Sequence, residues 1–159
     1  MKKVILFLGI TLSLFSCKVK DAATSTSVDR RAQVAIKGNW TLTDVSYPGE
    51  EVIKVNSFQI ADSQCFEGSQ WTFVSNNDSG KMAIEKAGCP QFSSNIKWFV
   101  NKDQQFVLKM LDAGDKARKV KEGYILLLRS QTMETFQLVD KVNIGGKNTE
   151  IVYLFRKNK

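Results

Sequence analysis

The chain has 159 residues, a formal net charge of +7 and no histidine. Without histidine the commonest general base and transition-metal ligand are missing, and neither a Ser-His-Asp nor a Cys-His site can be built. The three cysteines form no CxxC pair, which removes a structural zinc site, and no segment interleaves aromatics with Lys or Arg, which argues against nucleic acid as a partner.

The chain opens with Met1, Lys2 and Lys3, followed by the 12-residue apolar run VILFLGITLSLF, Val4 to Phe15. A membrane-spanning helix needs about 20 apolar residues, so this run matches the h-region of an export signal. Leu14-Phe15-Ser16-Cys17 ends it. This stretch resembles the lipobox of bacterial lipoproteins, with a leucine three before the cysteine and a small residue just before it. The resemblance implies cleavage before Cys17. It also implies a diacylglycerol thioether and an N-linked acyl chain, such as palmitate, on that cysteine. Several acyl chains anchor stably where one does not. Lys18, in place of an aspartate after the cysteine, implies sorting to the outer membrane, with its periplasmic or surface face left open.

The expected division is therefore a signal peptide at 1–16, a lipidated cysteine with flexible tether at 17–36 and one domain at 37–159. Cleavage would leave 143 residues, and loss of Lys2 and Lys3 lowers the charge from +7 to +5. With Cys17 lipidated, Cys65 and Cys89 are an even pair in an oxidising compartment. A disulfide is the default reading and two buried thiols the alternative. Loop-closure entropy for such a crosslink is on the order of 3–4 kcal/mol.

KVKDAATSTSV, Lys18 to Val28, reads as tether. Asp29 to Ile36 suits one or two helical turns. From Gly38 the hydrophobic period becomes two. Strands are expected at Trp40–Tyr47, Gln70–Ser75, Lys81–Lys86, Asn95–Val100, Gln105–Leu111, Gly123–Arg129, Thr132–Val139 and Glu150–Arg156. Pro48-Gly49-Glu50, Asn76 to Gly80, Asn101 to Gln104, Ser130-Gln131 and Asn143 to Asn148 supply the turns. Glu51 to Ile60 reads as a short helix or irregular crossover, and Asp112 to Glu122 as a solvated charged loop. Eight short strands without a long helix favour an all-β, eight-stranded antiparallel up-and-down barrel, with a sandwich as the alternative. A barrel of that size is filled by side chains or holds one small ligand.

Gly38-Asn39-Trp40 is the G-x-W that opens the first strand of lipocalins. Arg156, in Tyr153-Leu154-Phe155-Arg156, stands where that family places an arginine over the tryptophan. With CFEGSQW from Cys65 to Trp71, the Asn76-to-Gly80 loop and Cys89, residues 38 to about 156 resemble the lipocalin-like domain of Gram-negative lipoproteins. The resemblance implies barrel closure by Gly38, Trp40 and Arg156. The turn before the seventh strand reads Arg129-Ser130-Gln131-Thr132, where central lipocalins carry Thr-Asp-Tyr.

The functional expectation is a monomeric binding protein of the cell envelope, anchored by lipid and carrying a small hydrophobic molecule. Trp71, Phe73, Trp98, Phe106, Leu108, Met110 and Tyr124 would line its interior. Apolar stripes at period two are first of all core, so each is weighed as packing before ligand contact. The alternative is a filled barrel acting as a structural or interaction module. Catalysis is not expected: Glu85, Glu134 and Asp140 show no paired spacing, no cofactor motif is present, and a metal is not anticipated.

Overall fold

A computed structural model describes residues 27–51, 53–111 and 123–159. Cys17, the apolar leader, the tether at 18–26 and the charged loop at 112–122 lie outside the described residues. The elements, in chain order, are α1 (Arg30–Ile36), β1 (Gly38–Ser46), β2 (Asn56–Ser57), β3 (Ala61–Asp62), a 3-10 turn (Ser63–Phe66), β4 (Gln70–Val74), β5 (Ser79–Ile84), β6 (Phe92–Val100), β7 (Gln105–Leu111), β8 (Tyr124–Arg129), β9 (Thr135–Ile144) and β10 (Lys147–Lys157).

Eight of the strands close an antiparallel barrel in the order β1-β10-β9-β8-β7-β6-β5-β4. Each pairs with its neighbours in sequence, and β1 closes the ring through β10 and β4. Closure leaves no strand edge open in the barrel. A register shift between Leu42 and Asp44 bends β1 where it pairs with β10. Gly38 has φ +129, a conformation reserved for glycine, which explains why the G-x-W opens on that residue. Gly80 lies in β5, and a Cβ there would stand 2.1 Å from the Thr72 carbonyl, so only glycine permits this strand approach.

The predicted strands are all present. Glu51–Ile60 is neither a helix nor wholly irregular: it enters the two-residue pairing of β2 with β3. The 3-10 turn that follows has Asp62 accepting from the Gln64 amide. Short apolar runs carry helix and strand signals alike, and here tertiary packing decides.

The two ends of the barrel are covered differently. At one end lie α1 and the β4–β5, β6–β7 and β8–β9 turns. Asp29 caps α1 by accepting from the Arg31 and Ala32 amides. The helix is only seven residues long, too short to hold itself in water. Three side-chain hydrogen bonds fix it to the three turns. Gln33 Nε2 donates to Asp78 Oδ1 at 2.8 Å, Gln104 Nε2 to Asp29 Oδ2 at 3.1 Å and Gln131 Nε2 to the Ala32 carbonyl at 2.8 Å. The expected helical turns at Asp29–Ile36 are present, and Gln33 and Ile36 are fully buried, so α1 is packed as a plug where the division at 17–36 places it in the tether. At the other end the long connection from β1 to β4, residues 47–69, folds across the mouth as a lid.

Candidate functional site

Strand alternation sends Trp71, Phe73, Trp98, Phe106 and Leu108 inward, and each is at most 2% exposed. Their rings interlock. Trp98 stacks on Phe106 at 5.5 Å, and Phe136 on Phe155 at 4.5 Å. Phe73 stands among four of these rings, with centroids 5.0–6.3 Å away. Offset and edge-to-face pairs of this kind contribute about 0.5–1.5 kcal/mol each beyond area burial. All three indole N–H groups are satisfied: Trp40 by the Ile36 carbonyl, Trp71 by Ser69 Oγ and Trp98 by the Ser79 carbonyl. These five candidate lining residues are therefore core.

Trp40 is fully buried beneath α1, with Phe136 edge-on at 4.7 Å. The cation beside it is not Arg156 but Lys157, whose Nζ lies 5.4 Å from the ring centroid. In β10 the inward residues are Ile151, Tyr153 and Phe155, and Lys157 continues that face. Arg156 is exposed on the outer wall. A one-residue offset along a strand exchanges the faces.

The lid end has another character. Met110 and Tyr124, the two remaining candidates, are only partly buried there. With them stand the partly buried Ile53, Val55, Ile60, Phe92 and Val142, all packed against the core. Phe58 is the lid's inward anchor, with Phe66 and Tyr124 edge-on at 5.1 Å and Tyr153 at 5.6 Å. Hydroxyl groups tie the lid down. Tyr124 OH donates to the Phe58 carbonyl at 2.7 Å, and Ser57 Oγ meets Tyr153 OH at 2.6 Å. Tyr47 OH meets Ser63 Oγ, also at 2.6 Å.

Phe58 and Gln59 have φ of 53 and 57, two consecutive non-glycine residues in the left-handed region. Each costs about 1–2 kcal/mol, and a bulky aromatic in that region is a marked outlier. The strain is held by Phe58's burial and by a crosslink. Cys65 and Cys89 form a disulfide that ties the 3-10 turn to the β5–β6 connection. Lys86 Nζ reinforces that seam by donating to the Gln64 carbonyl at 2.9 Å and to Glu67 at 3.0 Å. Glu50 and Lys147 form an ion pair between the start of the lid and the β9–β10 hairpin.

Two titratable groups face this region. Burial pushes the Tyr153 hydroxyl well above the ordinary tyrosine range, opposed in part by its Ser57 hydrogen bond. Burial likewise raises the Asp140 carboxyl, opposed in part by the Lys141 backbone. Asp140 does not meet the other carboxylates weighed from sequence. Glu85 is exposed after β5 at the lid end, and Glu134 is exposed in the β8–β9 turn at the plugged end. Among the described residues no group of three metal-ligating side chains converges. An open hollow of about 490 Å3 lies on the outer wall, between Gln70, Thr72, Lys81 and Asn95, rather than among the inner rings.

The lid residues Phe58, Ile53, Val55 and Ile60, and Val142 of β9, were not among the sequence candidates. The Ile53/Val55 alternation was their one legible signal.

No family model matches the chain, and no curated protein matches it. Among solved structures, the chain is similar to a lipocalin-like protein from Bacteroides uniformis, with 14% identity and a TM-score of 0.47 over 78% of this chain and 99% of that one. It is also similar to a deswapped triple mutant of bovine odorant binding protein, with 12% identity and a TM-score of 0.42 over 78% and 74%. A complex of the bovine protein with a selenium-containing odorant gives 12% identity and a TM-score of 0.45 over 80% and 73%. At such identities the likeness concerns the lipocalin-like barrel alone.

Proposed function

We propose that this protein is a lipid-anchored binding protein of the cell envelope, whose lid end takes a small hydrophobic molecule. The observation that carries this reading is the distribution of incomplete burial. Inward positions toward the plugged end are closed to solvent, whereas the partly buried apolar side chains Met110, Tyr124, Val142, Ile53 and Ile60 gather under and around the lid. Apolar surface left half-covered beside a strained loop is where a ligand gains most by burial. The anchor is Cys17, supported by the short apolar leader and the Leu14-to-Cys17 stretch. The disulfide suits the oxidising compartment that such a leader addresses. Lys18 favours the outer membrane.

A second reading has its own observation. The interlocked rings from Trp98 to Phe155 fill the lower barrel, which favours a solid module that presents its loops to another envelope component.

Titration with N-phenyl-1-naphthylamine and native mass spectrometry of membrane-purified protein separate the two. One saturable dye site is expected, weakened at least about ten-fold by Met110→Arg, since a buried charge opposes an apolar ligand. No saturable dye binding and no co-purified small molecule would leave the solid module as the reading.

A further inference from the structure

We infer that the plugged end of the barrel rests on an anionic lipid surface, through the outer face of α1 and the β8–β9 turn. This inference builds on the Cys17 anchor of the proposed function and adds an orientation to it.

Val34 and Met133 are 62% and 61% exposed, the two most exposed large hydrophobics among the described residues. They are far apart in sequence, yet they line one shallow hollow with Ala35, Arg30 and Arg31. The helix divides its residues: Ala32, Gln33 and Ile36 face the barrel, while Arg30, Arg31 and Val34 are exposed, as is Lys37 just after it. Apolar side chains amid cations are the composition of an interfacial helix face. Lys102, Lys157 and Lys159 stand at the same end.

Two of its four acids among the described residues are engaged within the fold. Asp29 caps the helix and accepts from Gln104. Asp78 accepts from Gln33 and stands 3.7 Å from Arg30. Asp103 is exposed in the β6–β7 turn, and Glu134, beside Met133, is the exposed acid nearest the apolar pair.

The point where the chain joins the barrel selects the occupant. Ser27 and Val28 join the fold at this same end: the Lys102 amide donates to the Ser27 carbonyl, and Val28 bridges to Asn101. Ten residue steps separate Cys17 from Ser27, which limits the separation of the two to at most about 35 Å. A lipid on Cys17 therefore keeps this end near the bilayer and turns the lid end outward.

The test uses the full lipidated protein, purified from membranes as a Met133→Cys variant. The native disulfide leaves residue 133 as the thiol open to a nitroxide label, and an Ile125→Cys variant on the barrel wall serves as reference. Intact mass is read first: absence of the diacyl and N-acyl increments would remove the anchor on which the inference stands. With those increments present, accessibility of the label to oxygen and to a nickel chelate is measured in phosphatidylglycerol-containing and pure phosphatidylcholine vesicles.

On the anionic vesicles the label at 133 should shift toward oxygen and away from nickel, while the label at 125 stays water-like. Adding Arg30→Gln and Arg31→Gln should lower the equilibrium constant between the docked and water-exposed states of this face roughly thirty-fold, from about five-fold for each cation at an anionic surface. A water-like label at 133 despite intact lipidation would overturn the inference and leave the anchor standing. Dipolar broadening between labels would overturn it in favour of a second copy of the chain on this face.

Discussion

The two ends of the barrel are built from the same eight strands and differ in how they are finished. The plugged end has a short helix, three glutamine hydrogen bonds and a fully buried tryptophan, and its interior is a continuous stack of rings. The lid end has a long connection in strained backbone, held by hydroxyls, one disulfide and partly buried apolar side chains. Packing of the first kind gives way only when the whole domain unfolds. The second rests on point ties, two of them buried hydroxyl pairs, beside side chains that are only partly buried, so opening short of global unfolding is expected there first. A binding site in this fold therefore belongs where stability is locally low.

The largest test of that contrast is Phe73→Ala. Phe73 is 1% exposed and lies at the centre of the ring stack. Truncating it should lower unfolding free energy by about 3–5 kcal/mol in a urea titration. The loss should appear as one cooperative transition. A loss below about 1 kcal/mol would mean that the lower barrel tolerates a void, and the distinction between filled and fillable ends would fail.

Next comes the crosslink. The double variant Cys65→Ser/Cys89→Ser should lose about 3 kcal/mol, from loop-closure entropy over a sequence separation of 24. The way the loss is distributed matters more than its size. Hydrogen exchange should quicken in the lid, across residues 53–66, while amides of β6 and β7 keep their protection. Equal loss of protection everywhere would show that the lid is not a separate opening unit.

Most of this architecture was legible in the sequence, and the exceptions have physical causes. Gln105–Leu111 reads as a strand with its observed bounds because its alternation is clean. The seven candidate lining residues are inward-facing, as alternation requires. Alternation cannot say at which height in the barrel a residue sits, and height separates core Phe73 from mouth-lining Met110. Arg156 and Lys157 show the same limit from another side: a basic residue near the end of the last strand was readable, but its face depends on the pairing register. The lid was least legible. Phe58 and Gln59 adopt left-handed backbone that glycine or asparagine would have announced, and tertiary contacts impose it. Gln33, Gln104 and Gln131 carry no hydrophobic signal, yet they fasten the plug.

The smallest expected effect concerns Asp140, inward-facing in the lid half of the barrel. Burial raises its carboxyl above the ordinary aspartate value, which is about 3.9 in an unfolded chain. In the window between those two values the folded state binds more protons than the unfolded state, so stability falls as pH rises through it. Above the window the penalty is complete. Asp140→Asn removes it, and should raise Tm by roughly 1–3 °C at neutral pH, with the gap closing below about pH 4 as the wild-type carboxyl becomes protonated in both states. The group is only partly desolvated, which keeps the effect small. Thermal melts of both proteins across pH 3–8 give the comparison. If Asn lowers Tm at neutral pH, ionised Asp140 stabilises the lid end, and that end is held by charge as well as by hydroxyls. If the gap is present and closes in acid, the lid end carries a partly buried carboxylate at a cost that the ring-filled end does not bear.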